Sequence, residues 1–234
     1  MLRYKALAAT LPLTFVLAGC PLDDEVRAKQ YQVTITNQTA GQPLSPATLL
    51  VHTADWQPFT LGEPASEGLE HIAEAGDNSV LLDAVKKDRA VLTAMSDEGG
   101  IPPGGRTEVT FKVRGGVFET SYFTWLAMAG NTNDAFGAVP ALSLQGMAVG
   151  ETRSVQALSY DAGTEANTES PDTVPGPAST GLGEGFNATR DDVRDAVYIH
   201  SGVVTADDGL ATSTLGNAQR WDHPIARVAI ERVK

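Results

Sequence analysis

The sequence predicts an all-β protein, an antiparallel β-sandwich with short helical insertions, and three features predict it. Short segments alternate apolar and polar residues, as in Tyr31-Gln32-Val33-Thr34-Ile35 and Val109-Thr110-Phe111-Lys112-Val113, and a period of two marks a strand with one buried face. Turn residues, above all glycine and proline, separate these segments at hairpin or somewhat longer spacing. No strand-helix unit repeats, which argues against a parallel sheet.

In chain order, the first strand is expected over Tyr31 to Thr36 and ends in the turn residues of Asn37 to Pro43. Thr48 to His52 is a second strand. From Glu67 to Val85 the period changes: Leu69, Ile72 and Ala73, then Val80, Leu81, Ala84 and Val85, recur at helical spacing, with Gly76-Asp77-Asn78 as a stop and restart. Two short helices inserted between strands follow from this. Arg89 to Met95 is extended, Gly99 to Gly105 is an irregular turn, and Thr107 to Val113 alternates again. Tyr122 to Ala129 is apolar nearly throughout, so it is expected to be a central strand buried on both faces. Asn131 to Gly137 follows it as a loop. Thr152 to Leu158 alternates weakly, Val197 to His200 strongly, and Ile225 to Ile230 closes the chain, with a long Asn-, Thr-, Ser- and Pro-rich loop from Gly163 to Gly185 in between.

The N-terminus sets the compartment. Arg3 and Lys5 make a short positive region, residues 6 to 16 are apolar but too short to span a bilayer, and Leu17-Ala18-Gly19-Cys20 places small residues before the chain's single cysteine. That pattern is a bacterial lipoprotein signal over residues 1–19, with Cys20 as the lipidated first residue of the mature chain and the polar residues 20–30 as a tether. Residues 31–234 then form one domain outside the cytoplasm, anchored to a membrane through Cys20. Pro21 stands where an aspartate would signal inner-membrane retention, which points to the outer membrane and the cell envelope. With Cys20 acylated no disulfide is available, so stability must come from a core.

Losing Arg3 and Lys5 with the signal leaves 15 basic against 29 acidic residues, a formal charge of −14 in place of −12. So acidic a surface excludes nucleic acid as a partner and suits divalent cations.

Two loops concentrate hard oxygen donors beside glycine. One is Asn131-Thr132-Asn133-Asp134-Ala135-Phe136-Gly137; the other is Tyr160-Asp161-Ala162-Gly163-Thr164-Glu165, with two carboxylates four residues apart. Carboxylates and carbonyls in a cramped turn are what calcium selects. By spacing alone these residues are also ordinary turn acids, and that alternative stays open.

The chain resembles the spondin domain, the N-terminal module of F-spondin and mindin that also occurs in bacterial lipoproteins. The resemblance rests on the opening strand Tyr31 to Thr36, the aromatic strand Phe123 to Met128 with its Asn133-Asp134-Ala135-Phe136-Gly137 loop, the Asp161-Ala162-Gly163-Thr164-Glu165 motif, and the closing Trp221-Asp222-His223-Pro224-Ile225-Ala226-Arg227-Val228. These pieces come in the family's order over roughly residues 31 to 233. The resemblance implies a C2-like sandwich binding one calcium ion through loops at one end, with Asp134, Asp161 and Glu165 as its carboxylate ligands, and an adhesive role toward a protein or glycan. Ala135 and Glu165 depart from the family, which carries tryptophan and aspartate at those places.

Other constellations carry less. His52, His71, His200 and His223 show no paired zinc spacing. His200 beside Ser201-Gly202 suggests a periplasmic hydrolase, but no G-x-S-x-G elbow accompanies it. Asp191-Asp192, Asp207-Asp208 and Asp77-Asn78 are solvated turns without the ligand order of an EF-hand loop. Trp125 belongs to the core, whereas Trp56 and Trp221 are candidates either for exposed contact with a ligand or for capping the sandwich. A non-enzymatic, calcium-binding envelope module is the expectation; a hydrolase and a structural protein with purely stabilising calcium are the alternatives.

Overall fold

A computed structural model describes residues 28–113, 120–179 and 183–234. The lipidation site at Cys20 and most of the tether lie outside the described residues. Among the described residues nine strands are present: β1 (Lys29–Asn37), β2 (Thr48–His52), β3 (Val91–Ser96), β4 (Arg106–Val113), β5 (Tyr122–Met128), β6 (Ala135–Ser143), β7 (Thr152–Asp161), β8 (Tyr198–Ile199) and β9 (Ala226–Arg232). All pair antiparallel, in the order β3-β2-β5-β6-β7-β9-β1-β4, with β8 added beside β7. The two ends of this order approach each other, where the Thr93 hydroxyl donates to the Lys112 carbonyl at 3.3 Å. The sheet is thus a barrel-like sandwich, all-β as the alternation predicts.

The long strand β7 makes the corner. Its first half, Thr152 to Ala157, pairs with β9; its second half, Leu158 to Asp161, pairs with β6. A strand that changes partners midway turns one layer into the other, and here it delivers Asp161 to the end of the sandwich.

Between the layers, Val33, Ile35, Leu49, Phe111, Phe123, Trp125, Val228 and Ile230 form the main core. Full burial of one such side chain stabilises by about 1.5–3 kcal/mol. A second core lies on the outer face of β2, β5 and β6, where Leu50, Leu126 and Phe136 meet two helices, α1 (Glu67–Ala75) and α2 (Ser79–Val85). Strand β5 is therefore buried on both faces, as its sequence predicts. Helix α1 begins at Ser66, whose hydroxyl accepts from the Leu69 N–H, and stops at Gly76 in the left-handed region at φ 66°. Gly68 lets the two helices touch, because a Cβ there would lie 2.8 Å from Leu81 Cα.

Several expectations change. Strand β1 starts at Lys29, two residues before the predicted boundary of the tether. The loop expected over Asn131 to Gly137 is shorter, since Ala135 already belongs to β6, a strand the sequence pattern hides behind Gly137 and Pro140. Gly137 makes room for Trp125, whose Cη2 would sit 2.8 Å from an added Cβ. Pro140 lies where the β5–β6 register shifts, so its missing N–H costs no ladder bond, and its carbonyl accepts from the Thr124 hydroxyl. Of the strand expected over Val197 to His200, only Tyr198 and Ile199 pair, against Tyr160 and Asp161. Trp221 is buried, its indole N–H donating to Ser159 Oγ at 3.1 Å.

Candidate metal centre

The site grows from the turn between β5 and β6. Asn131, Thr132, Asn133 and Asp134 are all at most 1 % exposed, unusual for a polar tetrad, and their side chains take over the hydrogen bonding that water would supply. Thr132 Oγ1 donates to the Ala129 carbonyl at 2.6 Å and accepts from the Ala135 N–H, closing the turn. Asn131 donates to the Gly41 carbonyl and accepts from the Ala178 N–H. Asn133 donates to Thr173 Oγ1 at 2.7 Å and accepts from the Glu169 N–H at 3.0 Å. The turn thus anchors the long loop that follows β7.

Asp134 does so most directly. Its Oδ2 accepts from the Thr164 N–H at 2.8 Å, the Thr164 hydroxyl at 3.2 Å and the Glu165 N–H at 3.1 Å, while its carbonyl accepts from the Ala162 N–H. Its Oδ1 is buried and has no hydrogen-bond partner among the described residues. Asp161, also fully buried, uses Oδ1 to accept from the Gly163 N–H at 2.8 Å and Oδ2 to accept from Asn167 Nδ2 at 2.7 Å. Gly163 is required there. Its φ is 71°, and an added Cβ would collide with the Ala196 backbone at 2.3 Å.

Glu165 turns elsewhere. It is buried with Oε2 unpartnered, and the foremost charge acting on it is that of Glu74 in α1, ahead of Asp134, Glu184 and Asp191. Glu74 itself is buried, with Oε2 accepting from the Asn187 N–H and Oε1 unpartnered. The structure therefore brings Asp134 and Asp161 together, and Glu165 lies under the charges of both Glu74 and Asp134. Among the described residues, no three acid, histidine or cysteine side chains gather as a ready-made ligand set.

Electrostatics describe a site short of positive charge. Burial, then the charge of Asp161, pushes the Asp134 carboxyl up; burial pushes Asp161 up. Burial followed by Glu74 and Asp134 pushes Glu165 up to about 9. No lysine or arginine among the described residues pairs with any of the three: Arg190 is engaged by Glu70 and Asp195, and Arg194 lies over the Tyr198 ring at 4.2 Å. The nearest basic group is His200, with Nε2 4.0 Å from Asp161 Oδ2. Burial and the charge of His223 push that imidazole down to about 4, so it is neutral near pH 7. Buried carboxylates without a partner cost several kcal/mol unless they bind a proton or a cation.

Glu169 escaped the sequence reading. It is 1 % exposed, with Oε1 accepting from the Val204 N–H at 3.4 Å and Oε2 unpartnered. Its φ of 52° is left-handed, a conformation that costs a non-glycine residue about 1–3 kcal/mol and persists only where its surroundings impose it. Nothing in the Asn167-Thr168-Glu169-Ser170 stretch signals this.

In comparison with known proteins, the chain matches no family model and no curated protein.

Proposed function

We propose that this chain is a calcium-binding, membrane-anchored module of the cell envelope, a sandwich of the spondin type that acts in adhesion or envelope interaction and not as an enzyme. One observation carries the calcium reading: Asp134 and Asp161 are completely buried beside each other, with Asp134 Oδ1 unpartnered and no basic side chain paired to Asp134 among the described residues. The donor set fits the ion, because all of it is hard oxygen on a short side chain or a turn carbonyl. Asp134 and Asp161 would hold calcium, with Glu165 as the third carboxylate that the spondin resemblance implies. When bound, calcium supplies the positive charge that lets these acids ionise without water.

The chain's own residues do the remaining work. Asp134 Oδ2 fixes the backbone of Thr164 and Glu165, and Gly163 turns the chain back on itself, so the loop after β7 is held to the β5–β6 turn before any ion arrives. That end of the sandwich becomes a defined surface, which is what recognition of a protein or glycan requires. An acidic outer-membrane lipoprotein held by Cys20 would present it within a short tether's reach of the membrane. The hydrolase alternative would need His200 to exchange protons near neutral pH, whereas burial holds it down at about 4.

The test is thermal unfolding of the mature domain in calcium and in chelator. A calcium concentration about 100-fold above Kd adds about 2.7 kcal/mol, which for a chain of this size raises Tm by roughly 5–10 °C. Asp161→Asn should remove the difference while keeping the Oδ1 acceptor for Gly163. Superimposable curves with and without calcium for the unmutated protein would end the proposal.

A further inference from the structure

The buried acids of the loop end divide by the space they border. Asp161, Asn167, Glu169, Arg194, Tyr198 and His200 border one solvent-open cleft of about 320 Å³ beside β8. Glu165 does not border it. The charge of Asp161 bears on Glu169, whereas that of Glu74, ahead of Asp134, bears on Glu165. Glu169 and Asp161 therefore share a cavity.

Glu169 is also positioned with care. Asn133 Oδ1, on the residue next to Asp134, accepts its N–H; its carbonyl accepts from the Thr214 N–H at 2.8 Å; and its Oε1 accepts from the Val204 N–H. Three separate segments thus hold a left-handed glutamate in place at the border of the cleft and leave one carboxylate oxygen, Oε2, buried with no partner among the described residues. The basic groups around it do not fill that role. Arg194 stacks over Tyr198 and forms no ion pair with Glu169 or Asp161 among the described residues. His200 Nδ1 accepts from the Gly202 N–H at 3.0 Å, so the neutral ring carries its proton on Nε2, toward Asp161. It is a donor facing the cleft and not a metal ligand, and the acceptors that remain are oxygens.

We propose that Glu169, and not Glu165, is the carboxylate that holds a divalent cation together with Asp161, across this cleft. The inference rests on the calcium reading above and changes its ligand set. Because no three acid, histidine or cysteine side chains gather as a ready-made ligand set among the described residues, the remaining ligand positions fall to water admitted by the cleft and to nearby amide oxygens. Asp134 keeps its place beside Asp161 and also ties the loop of Asp161 to the turn that carries Asn133 and, through it, Glu169.

Calcium titration of the mature domain by calorimetry, with Tb3+ luminescence sensitised by Tyr198 as a second readout, separates the two glutamates. Glu169→Gln should weaken calcium at least about tenfold, as loss of a charged ligand does, and should lower sensitised emission; Glu165→Gln should shift affinity by less than about threefold. The reverse order, or a Glu169→Gln variant that binds like the unmutated chain, overturns the assignment while leaving the calcium reading intact. Absence of binding to the unmutated chain overturns both. If Glu169→Gln fails to fold, Glu169→Asp keeps the charge and shortens the reach: weakened binding with a native circular dichroism spectrum supports the assignment, and unchanged affinity and emission overturn it.

Discussion

Phe123 and Asp134 are equally inaccessible to water, both at 0 %, and they belong to the same hairpin. Phe123 is buried by other carbon, stacked on Phe111 with ring centroids 5.9 Å apart. Asp134 is buried by hydrogen bonds, three of them to a single oxygen. The strand body needs only apolar volume of the right shape, and no change of ionic conditions touches it. The loop end needs every polar atom matched, and its unmatched atoms are carboxylate oxygens. One half of the molecule thus offers little to cations or protons, and the other half holds buried carboxylate oxygens that a proton or a cation would satisfy.

The largest way to break that contrast acts on the body. Phe123→Ala removes a fully buried ring, and substitutions of this kind cost about 3–5 kcal/mol. Chemical denaturation should show that loss in equal measure with calcium and with chelator. A loss that depends on calcium would mean that the two halves are energetically one.

The next acts on the loop end through pH. Glu169 and Glu165 are pushed up from an ordinary 4.5 to about 7 and about 9, mainly by burial. A carboxyl whose pKa is higher folded than unfolded binds its proton more tightly in the native state. The unfolded chain loses that proton first, so stability is fully present below about 4.5 and declines as pH rises through 7 toward 9. In chelator, Tm should fall across this window. Glu165→Gln should flatten the upper part of the fall and Glu169→Gln the lower part, and saturating calcium should oppose it. A chelated protein whose Tm holds steady from pH 5 to 9 would contradict the uncompensated burial of these acids.

How legible each half is in the sequence follows from the same contrast. Apolar burial writes itself as a period: Tyr31, Val33 and Ile35 announced β1, and the unbroken run at Phe123 announced a strand covered on both faces. Gly76 gave the helix stop because a left-handed cap wants glycine. Strand β6 was hidden because Gly137 and Pro140 are there to fit Trp125 and a register shift, both properties of the neighbouring strand. At the loop end, the motif around Gly163 led to Asp161 and Asp134, since short acids beside glycine have a local geometry. That Glu165 lies under the charge of Glu74 in helix α1, and that Glu169 is held at the cleft by Asn133 and Val204, depends on residues 30 or more positions away that no local spacing encodes. The burial of Trp221 likewise depends on Ser159 and on His200 stacked 5.3 Å away.

The smallest effect sharpens the boundary between the halves. Helix α1 belongs to the body through Leu69 and Ile72 but carries Glu74 toward the loop end, so its first turn and its last turn should behave differently. Ser66 caps the first turn, its hydroxyl accepting from the Leu69 N–H at 3.3 Å, and an N-cap serine replaced by alanine costs about 1 kcal/mol. Ser66→Ala should therefore lower Tm by roughly 2–4 °C, the shift 1 kcal/mol produces in a domain of this size, by the same amount in calcium and in chelator. If the calcium-dependent part of Tm shrinks as well, the helix transmits its order through Glu74 to Glu165, and the loop end extends into α1. An unchanged calcium increment would place the boundary inside the helix, between the cap at Ser66 and the buried carboxylate of Glu74.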